Sequence, residues 1–412
     1  MANLVIEGNL LNKETPFGAH PGKVCDTLYQ NSDLLMKKDK CLIAFNNQKM
    51  SIPLTTLAQS YTINLTNTAL YGDSYLKMTF PATAANQTLV PLAIVEAIQS
   101  LQFQLNNGDK YSLTGKDIFW AAIMSAESND KKDDMILKAG SGMAPSSGVS
   151  QTCYLPLQAF FSSIRADQND FPFDAQCLNG AIQITVTLNG SSSVCTGSAA
   201  ASYTSISNFA LVPRTGNLRD PSNGMRAYLQ KNPSKTYDYN FIAGQSLAPI
   251  SFTGVASGTA PVLSLQGFLG RELREIDVVV VTDANATLGN YNITESMSNI
   301  VLSWNGNTLY QSEDLGSDMD YLMSHTGSNL AKIPTVAQIG SANTTNCRYY
   351  NIVLSENSPL VRENFFEPGA NFQNGSVLNL SFNSTSGASK AYVFLKYNAF
   401  VRCSVNGANF VF

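Results

Sequence analysis

The sequence predicts an all-β fold made of two similar halves. Three observations support this prediction. Apolar residues mostly alternate with polar ones or form short β-branched runs, turn residues separate these runs, and four segments of the first half recur in order in the second. The chain has 412 residues and is 44% hydrophobic, so it can form substantial cores and exceeds the length that one β-sandwich usually fills. Two domains are therefore expected.

The strand pattern is clearest at two places. In residues 181–188 the apolar side chains alternate with Gln and Thr, so one face is expected to pack into a core and the other to meet water or a partner. Residues 278–281 are four consecutive valines, which predicts a strand covered on both faces. Asn-Gly pairs at 107–108, 179–180, 305–306 and 374–375 favour tight reversals between strands.

Helical periodicity is rare. The predicted helices cover residues 90–100, where Pro91 suits a first helical turn, residues 118–125, and residues 225–230. Each is short and lies between strand signals. We therefore expect a few short helices to be inserted into an all-β framework.

The internal repeat has a very long period. Its offsets fall smoothly from 200 through 198 and 194 to 190, as expected for two copies of one fold that differ by small loop deletions. The matching segments are 76–80 with 276–280, 101–105 with 300–304, 184–189 with 378–383, and 208–212 with 398–401. The repeat predicts a duplication of one domain.

The predicted organisation is an N-terminal arm (residues 1–24), a first domain (25–214) and a second domain (215–412). About 190 residues per unit, eight or so strands and a few long excursions suit two tandem eight-stranded jelly rolls, a double jelly roll, better than small immunoglobulin-type sandwiches. The long excursions at 126–150, 190–203 and 253–262 are expected to be surface loops.

Composition argues against several function classes. Lys and Arg number 26 and Asp and Glu 30, and the net charge of −4 gives no excess positive field for binding nucleic acid. Charged residues form only 14% of the chain, which indicates that partners cover much of the surface. No apolar run is long enough to span a bilayer, and no signal peptide is recognisable at the start.

The cysteine pattern predicts free, mostly buried thiols in a protein that is made in a reducing compartment. Their number is odd, they are scattered along the chain, and no two of them have CxxC spacing. The seven positions are Cys25, Cys41, Cys153, Cys177, Cys195, Cys347 and Cys403.

We predict no catalytic, cofactor-binding or metal-binding residues. His20 and His325 lie in different halves, and neither has a Cys, His or carboxylate at metal-ligand spacing. Residues 140–148 are rich in Gly and Ser but lack the Gly-Lys-Ser/Thr ending of a phosphate-binding loop, so a flexible loop is favoured.

Two acidic clusters have alternative interpretations. Residues 283–289 loosely resemble a calcium loop but lack its bidentate Glu, so a turn capped by Asx side chains is favoured. Glu313, Asp314, Asp318 and Asp320 could hold a cation or act as paired carboxylates, but a solvated helix start is favoured. No enzyme is predicted.

Local patterns carry a resemblance to a known family. Residues 154–161 contain Leu-Pro-Leu-Gln-Ala-Phe, residues 171–173 form Phe-Pro-Phe, and the alternating strand 182–188 follows. Residues 90–100, read as a short helix, precede a hydrophobic strand with a Gly turn at 101–108. In this order of elements the chain resembles the double jelly-roll major capsid proteins of tailless icosahedral DNA viruses, the lineage that joins certain phages to adenoviruses.

The resemblance extends over residues 25–412, as a pattern of elements and not a run of identities. It implies a structural subunit that forms pseudo-hexameric homotrimers, the capsomers of a virion shell assembled in the host cell. Implied partners are the chain itself, neighbouring capsomers and minor capsid or penton proteins, with an inner membrane as a further option. No direct binding of nucleic acid is implied, and the N-terminal arm is expected to reach beneath the shell or clasp a neighbour.

Two other function classes stay open on the sequence alone. A two-domain jelly-roll lectin or adhesin would bind glycans, with calcium ligands near residues 283–289. A cupin-like enzyme would need clustered histidines, which the sequence lacks.

Overall fold

The computed structural model describes most of the predicted strand regions. The described residues are 42–47, 49–65, 69–70, 74–105, 108, 110–124, 134–135, 137–140, 149–157, 173–174, 182–218, 229–253, 262–264, 271–287, 297–312, 350–354, 370–371, 377–384 and 387–411.

The first half of the chain contributes fourteen described strands. They are β1 (Leu42–Asn47), β2 (Met50–Ser51), β3 (Ser60–Leu65), β4 (Ala69–Leu70), β5 (Tyr75–Phe80), β6 (Thr88–Leu89), β7 (Ile98–Leu105), β8 (Lys110–Leu113), β9 (Gln151–Pro156), β10 (Phe173–Asp174), β11 (Ile182–Leu188), β12 (Cys195–Thr196), β13 (Ser207–Val212) and β14 (Arg214–Leu218).

Eight of these strands form a jelly roll. One antiparallel sheet has the order β2-β13-β5-β9 and the other the order β3-β11-β7-β8. If these eight strands are numbered one to eight in chain order, the first sheet has the order one, eight, three, six and the second has the order two, seven, four, five. This is the double Greek key of a jelly roll. A further sheet, β1-β14-β4-β10, and the pair β12-β6 complete this half.

The second half contributes eleven described strands. They are β15 (Tyr237–Ser246), β16 (Ile250–Thr253), β17 (Val262–Ser264), β18 (Glu272–Thr282), β19 (Met297–Trp304), β20 (Asn307–Ser312), β21 (Tyr350–Val353), β22 (Ala370–Asn371), β23 (Leu378–Ser384), β24 (Ala388–Ser404) and β25 (Gly407–Val411).

The second half repeats the topology of the first. Its sheets have the orders β15-β24-β18-β21 and β17-β23-β19-β20, which again place strands one, eight, three, six and two, seven, four, five side by side. Strands β16 and β25 also pair with β24, and β22 pairs with β18. The prediction of two tandem eight-stranded jelly rolls is therefore confirmed.

All four repeated segments lie in equivalent strands of the two rolls, namely β5 and β18, β7 and β19, β11 and β23, and β13 and β24. The strand ladders refine the alignment. Ile184 is opposite Phe103 in the first roll, and Leu380 is opposite Leu302 in the second. Ile184 is thus equivalent to Leu380, two residues beyond the match made from the sequence, which leaves the same face inward.

The burial patterns agree with the sequence. Every second residue of β11, from Ile182 to Leu188, is buried and the residues between are half-buried. The valines at 278–281 are all fully buried. Asn305 and Gly306 have φ values of 49° and 82°, so they form the predicted tight turn between β19 and β20.

The helices whose bounds the structure describes are α1 (Ala93–Ala97), α2 (Gly115–Met124), α3 (Ser191–Val194) and α4 (Asp283–Thr287). The predicted helix over 90–100 is wrong at both ends. Residues 90–92, including Pro91, precede α1, and from Ile98 onward the chain pairs with β11 and alternates as a strand. Residues 225–228 lie outside the described residues, and 229–231 are helical.

Helix α2 begins three residues before the predicted start at 118. The hydroxyl of Thr114 accepts a hydrogen bond from the backbone N–H of Asp117 at 3.2 Å, and the Asp117 carboxylate accepts one from the backbone N–H of Thr114 at 2.8 Å. This reciprocal capping box fixes the first turn of α2 against the end of β8.

The excursion at 190–203 is more regular than predicted. It contains α3, β12 and a 3-10 turn at Ala200–Ser202. Gln87 Nε2 donates to the carbonyl of Ala199 at 2.7 Å and contacts the hydroxyl of Ser202 at 2.8 Å. The segment is therefore held against the first roll. The excursions at 126–150 and 253–262 lie largely outside the described residues.

Three of the seven cysteines lie in the described residues. Cys153, Cys195 and Cys403 are buried and free, as predicted. Burial raises the pKa of the Cys153 thiol to about 12, so this thiol is held in its neutral form. None of the helices described is long and apolar enough for a bilayer crossing.

The predicted boundary between residues 214 and 215 stays a prediction. Strand β14, which crosses it, pairs with β1 and β4 of the first half. The arm predicted over 1–24 lies outside the described residues.

Candidate functional site

The clusters singled out in the sequence do not form a chemical site in the described residues. Residues 283–287 form α4, and the backbone N–H of Asn285 donates to the hydroxyl of Thr282 at 3.2 Å. The predicted Asx-capped turn is thus a short helix capped by a threonine. No group of three or more His, Cys, Asp or Glu residues within the described ranges could hold a metal ion.

The remaining candidates lie outside the described residues. They are His20, His325, Glu313, Asp314, Asp318, Asp320 and residues 141–148. Gly140, the first residue of the Gly- and Ser-rich stretch, is described. It has a positive φ of 110°, and a Cβ there would lie 3.2 Å from Cys153 Sγ, so glycine fits a close approach.

The most informative feature of the described residues is the contact between the two rolls. Tyr111 on β8 is almost fully buried, and its hydroxyl reaches Gly244 on β15 in the second roll. The Tyr111 hydroxyl donates to the Gly244 carbonyl at 3.0 Å and accepts from the Gly244 N–H at 2.8 Å. One side chain of the first roll thus satisfies both backbone groups of a residue in the second.

This contact gives hydrogen-bond partners to backbone groups of an edge strand. Both β8 and β15 are the last strands in their sheets, so one side of each strand has backbone groups that no neighbouring strand of the sheet can bind. Burial raises the pKa of Tyr111 well above its usual range, and nearby Tyr397 raises it further, whereas the hydrogen bond from Gly244 lowers it. The hydroxyl therefore stays neutral and can both donate and accept.

Aromatic rings extend the contact on both sides of Tyr111. Phe410 on β25 lies with its ring centroid 6.0 Å from that of Tyr111 and 6.0 Å from that of Phe103. Trp120 on α2 lies 6.0 Å from Phe394 on β24. These distances are within the range at which aromatic pairs stabilise a packed interface. One continuous hydrophobic cluster consequently includes residues of both rolls.

A charged pair borders the same interface. Lys116 Nζ on α2 lies 3.4 Å from the carboxylate of the buried Glu96 on α1, and 5.6 Å from the ring centroid of Tyr392 on β24. Burial raises the pKa of Glu96 to about 7, against the opposing effect of Lys116. Lys116 thus joins a carboxylate of the first roll to an aromatic ring of the second.

A second buried ion cluster lies within the second roll. Lys396 Nζ on β24 contacts Glu275 at 2.6 Å and the fully buried Asp277 at 3.5 Å, both on β18. Burial lowers the pKa of Lys396, but the two carboxylates outweigh that effect and the net direction is upward. The cluster links the central strands of one sheet.

Taken together, these contacts are structural. Hydrogen bonds, aromatic packing and the contact of Lys116 with the Tyr392 ring hold the two similar rolls against each other. Sequence reasoning did not identify Tyr111 or Gly244, because a tyrosine in a short alternating strand carries no signal of what lies beyond the edge of its sheet.

Solved structures of the same architecture cover nearly the whole chain. PBCV-1 VP54, as fitted into a cryo-EM reconstruction of the virophage Sputnik, has a TM-score of 0.64 and 10% sequence identity, covering 90% of this chain and 97% of that chain. The Faustovirus major capsid protein has a TM-score of 0.54 and 10% identity, covering 100% and 97%. The mavirus major capsid protein has a TM-score of 0.51 and 11% identity, covering 89% of each chain.

These neighbours are double jelly-roll major capsid proteins. This chain has the double jelly-roll fold. The resemblance found in the sequence is therefore confirmed at the level of fold, and the lectin alternative is not favoured. No protein-family model and no curated protein matches the sequence. This is expected when sequences share the strand pattern of a double jelly roll but few identical residues.

Proposed function

We propose that the protein is the major capsid protein of an icosahedral virus, a structural and non-enzymatic subunit located in the virion. The observation that carries the proposal is the double jelly-roll fold, which it shares over 89–100% of its length with the major capsid proteins of Faustovirus and mavirus. The chain's low charged fraction of 14% also fits a surface that partners cover.

The geometry suits a shell tile. Two similar rolls in each chain allow a three-fold ring of subunits to present six near-equivalent sides, so three chains can fill a position with six neighbours. Contacts within such a trimer would be obligate and larger than about 2,000 Å². Contacts between trimers can be weaker, because a shell multiplies many of them.

The proposed partners follow from this role. They are two further copies in the capsomer, neighbouring capsomers, and minor capsid or penton proteins. An inner membrane beneath the shell and an arm over residues 1–24 that reaches below the shell or clasps a neighbour belong to the same proposal. Deleting residues 1–20 is expected to impair assembly, and unchanged assembly would contradict the proposed role of the arm.

The oligomeric state of the purified protein tests the main proposal. Native mass spectrometry is expected to give three times the monomer mass of 44.5 kDa. Negative-stain electron microscopy is expected to give six-sided particles. A monomer that stays stable at micromolar concentration would contradict the proposal.

A further inference from the structure

A lysine and two carboxylates form a compact cluster on β18 and β24. Lys396 Nζ lies 2.6 Å from Glu275 Oε2 and 3.5 Å from Asp277 Oδ2. The side chain of Asp277 is fully buried, and those of Lys396 and Glu275 are 13% and 25% exposed. The cluster therefore contains an amine, a buried carboxyl group in contact with it, and a second carboxylate that can accept a proton. These are the groups needed to form an amide bond between two side chains.

The strand ladder keeps the three side chains on one face of the sheet. Glu275 is directly opposite Lys396, and Asp277, two residues further along β18, is opposite Phe394. Residues two apart along a strand point to the same face, so Asp277 is the diagonal neighbour of Lys396. Strands β24 and β18 are the two inner strands of the order β15-β24-β18-β21. The backbone therefore holds the amine and the carboxyl group in contact.

The first roll covers this face of the sheet. Tyr392 and Phe394 alternate along β24 with Lys396, so their side chains share its face, and both are buried. Phe394 contacts the Trp120 ring of α2, and the Tyr392 ring contacts Lys116 of the same helix. This packing keeps bulk water away from the cluster. A site closed to water protects a condensation product from hydrolysis.

We propose that Lys396 and Asp277 form an intramolecular isopeptide bond in the folded protein. The Lys396 nitrogen attacks Cγ of Asp277, an N–C bond forms, one C–O bond of the carboxyl group breaks, and its oxygen leaves as water with two protons of the former ammonium group. One ammonium and one carboxylate thus become one amide and one water, so that atoms and charge balance. The reaction needs neither an oxidant nor a cofactor.

Glu275 fits the role of the proton carrier. Its carboxylate, 2.6 Å from Nζ, accepts the proton that the ammonium group must lose before it can attack. Glu275 then passes this proton to the leaving oxygen of Asp277 and is again a carboxylate. Because Glu275 is one-quarter exposed, water stabilises its charge throughout. Asp277 has no such contact with water, so its carboxyl group gains more by becoming an uncharged amide.

Burial and proximity both favour the reaction. An ammonium and a carboxylate held out of water carry a desolvation penalty that an amide avoids. Reacting groups held in the right orientation reach effective molarities of about 10⁵ M or more. Burial by itself lowers the pKa of Lys396, but the two carboxylates raise it overall, so the amine is charged in the resting state. Proton transfer to Glu275 is therefore the step that we expect to limit the rate.

The bond would tie two inner strands of the second roll together covalently. Its ends are far apart along the chain, and a crosslink that closes a long loop restricts the unfolded chain, as a disulfide does. The three cysteines in the described part of the chain are free. An isopeptide bond is a covalent link that a reducing compartment does not break.

The mass of the denatured full-length chain tests the proposal. It is expected to be lower than the sequence mass by one water molecule, and tandem mass spectrometry of a digest should find Lys396 attached to the peptide that contains Asp277. Trypsin should fail to cleave after Lys396, because an amide replaces the charged amine. A chain that is folded by circular dichroism but keeps its full sequence mass would overturn the proposal, and so would a link from Lys396 to Glu275. The result does not depend on the oligomeric state, so it is separate from the test of the proposed function.

Three variants separate bond formation from folding. Lys396→Arg keeps the positive charge, but its guanidinium does not attack a carboxyl group, so the full mass is expected. Glu275→Gln keeps the size of the side chain and removes the proton acceptor, which is expected to slow the loss of water during refolding by about 100-fold or more. Lys390→Arg is the matched control, because Lys390 lies on the same strand outside the cluster, and the loss of water should persist. Loss of water in Lys396→Arg, or its absence in folded Lys390→Arg, would count against the proposal.

Discussion

Removing the hydroxyl of Tyr111 tests whether hydrogen bonding across the two rolls stabilises the protein. In Tyr111→Phe the ring stays, so its packing at 6.0 Å from Phe410 is kept. Two hydrogen bonds to Gly244, of 3.0 and 2.8 Å, are lost. Each buried group that loses its partner costs about 1–3 kcal/mol. Because Gly244 is only half-buried, water can partly replace the hydroxyl, and we expect a total loss of about 2 kcal/mol, or about 30-fold in the unfolding equilibrium.

Tyr203→Phe is the matched control. The Tyr203 hydroxyl donates one hydrogen bond, of 2.7 Å, to the carbonyl of Pro81 within the first roll. Its loss is expected to cost about 1 kcal/mol without affecting the contact between the rolls. Both variants keep an aromatic ring in a buried position, so they differ mainly in the number and location of the lost bonds.

Urea denaturation and amide hydrogen exchange provide the measurements. The free energy of unfolding should fall more for Tyr111→Phe than for Tyr203→Phe, and the Gly244 amide should exchange faster only in Tyr111→Phe. A free energy within about 0.5 kcal/mol of wild type, together with unchanged exchange at Gly244, would refute the assignment of a stabilising role to this contact.

Three further predictions concern other parts of the two rolls. Gly115→Ala should strongly destabilise the first roll, because a Cβ there would lie 2.1 Å from a backbone oxygen of α1. Gly244→Ala should be tolerated, because a Cβ there would meet no atom within 4 Å, and thermal melts of the two variants check this difference. The pKa of the Glu96 carboxyl is about 7 in the folded protein and 4.5 in the absence of the fold. Its contribution to stability, at most about 3 kcal/mol, is therefore fully present below pH 4.5 and is lost as the pH rises through 7. Glu96→Gln should remove this pH dependence from urea denaturation measured over a range of pH. Lys396→Met should cost about 3–5 kcal/mol, because it leaves the buried carboxylate of Asp277 without its cation; a loss below about 1 kcal/mol in urea titration would contradict this.

Long-range contacts explain two of the differences between the prediction and the structure. Residues 98–100 lie in a segment whose local pattern predicts a helix, but Ile98 and Ser100 pair with β11, and Ile98 is buried. The segment 190–203 lacks periodicity because α3 and the 3-10 turn are too short to produce one, and it is held by contacts to Gln87 more than 100 residues away. Neither feature has a local signal.

The sequence by itself determined the all-β class and the duplication. The all-β class follows from alternation and turn residues, which act between residues that are close along the chain, and the duplication follows from segments that recur in the same order. Only the tertiary structure decided how the two rolls meet. The partners Tyr111 and Gly244 are 133 residues apart, and their contact depends on which sheet edges the fold brings together, so no pattern within either strand encodes it.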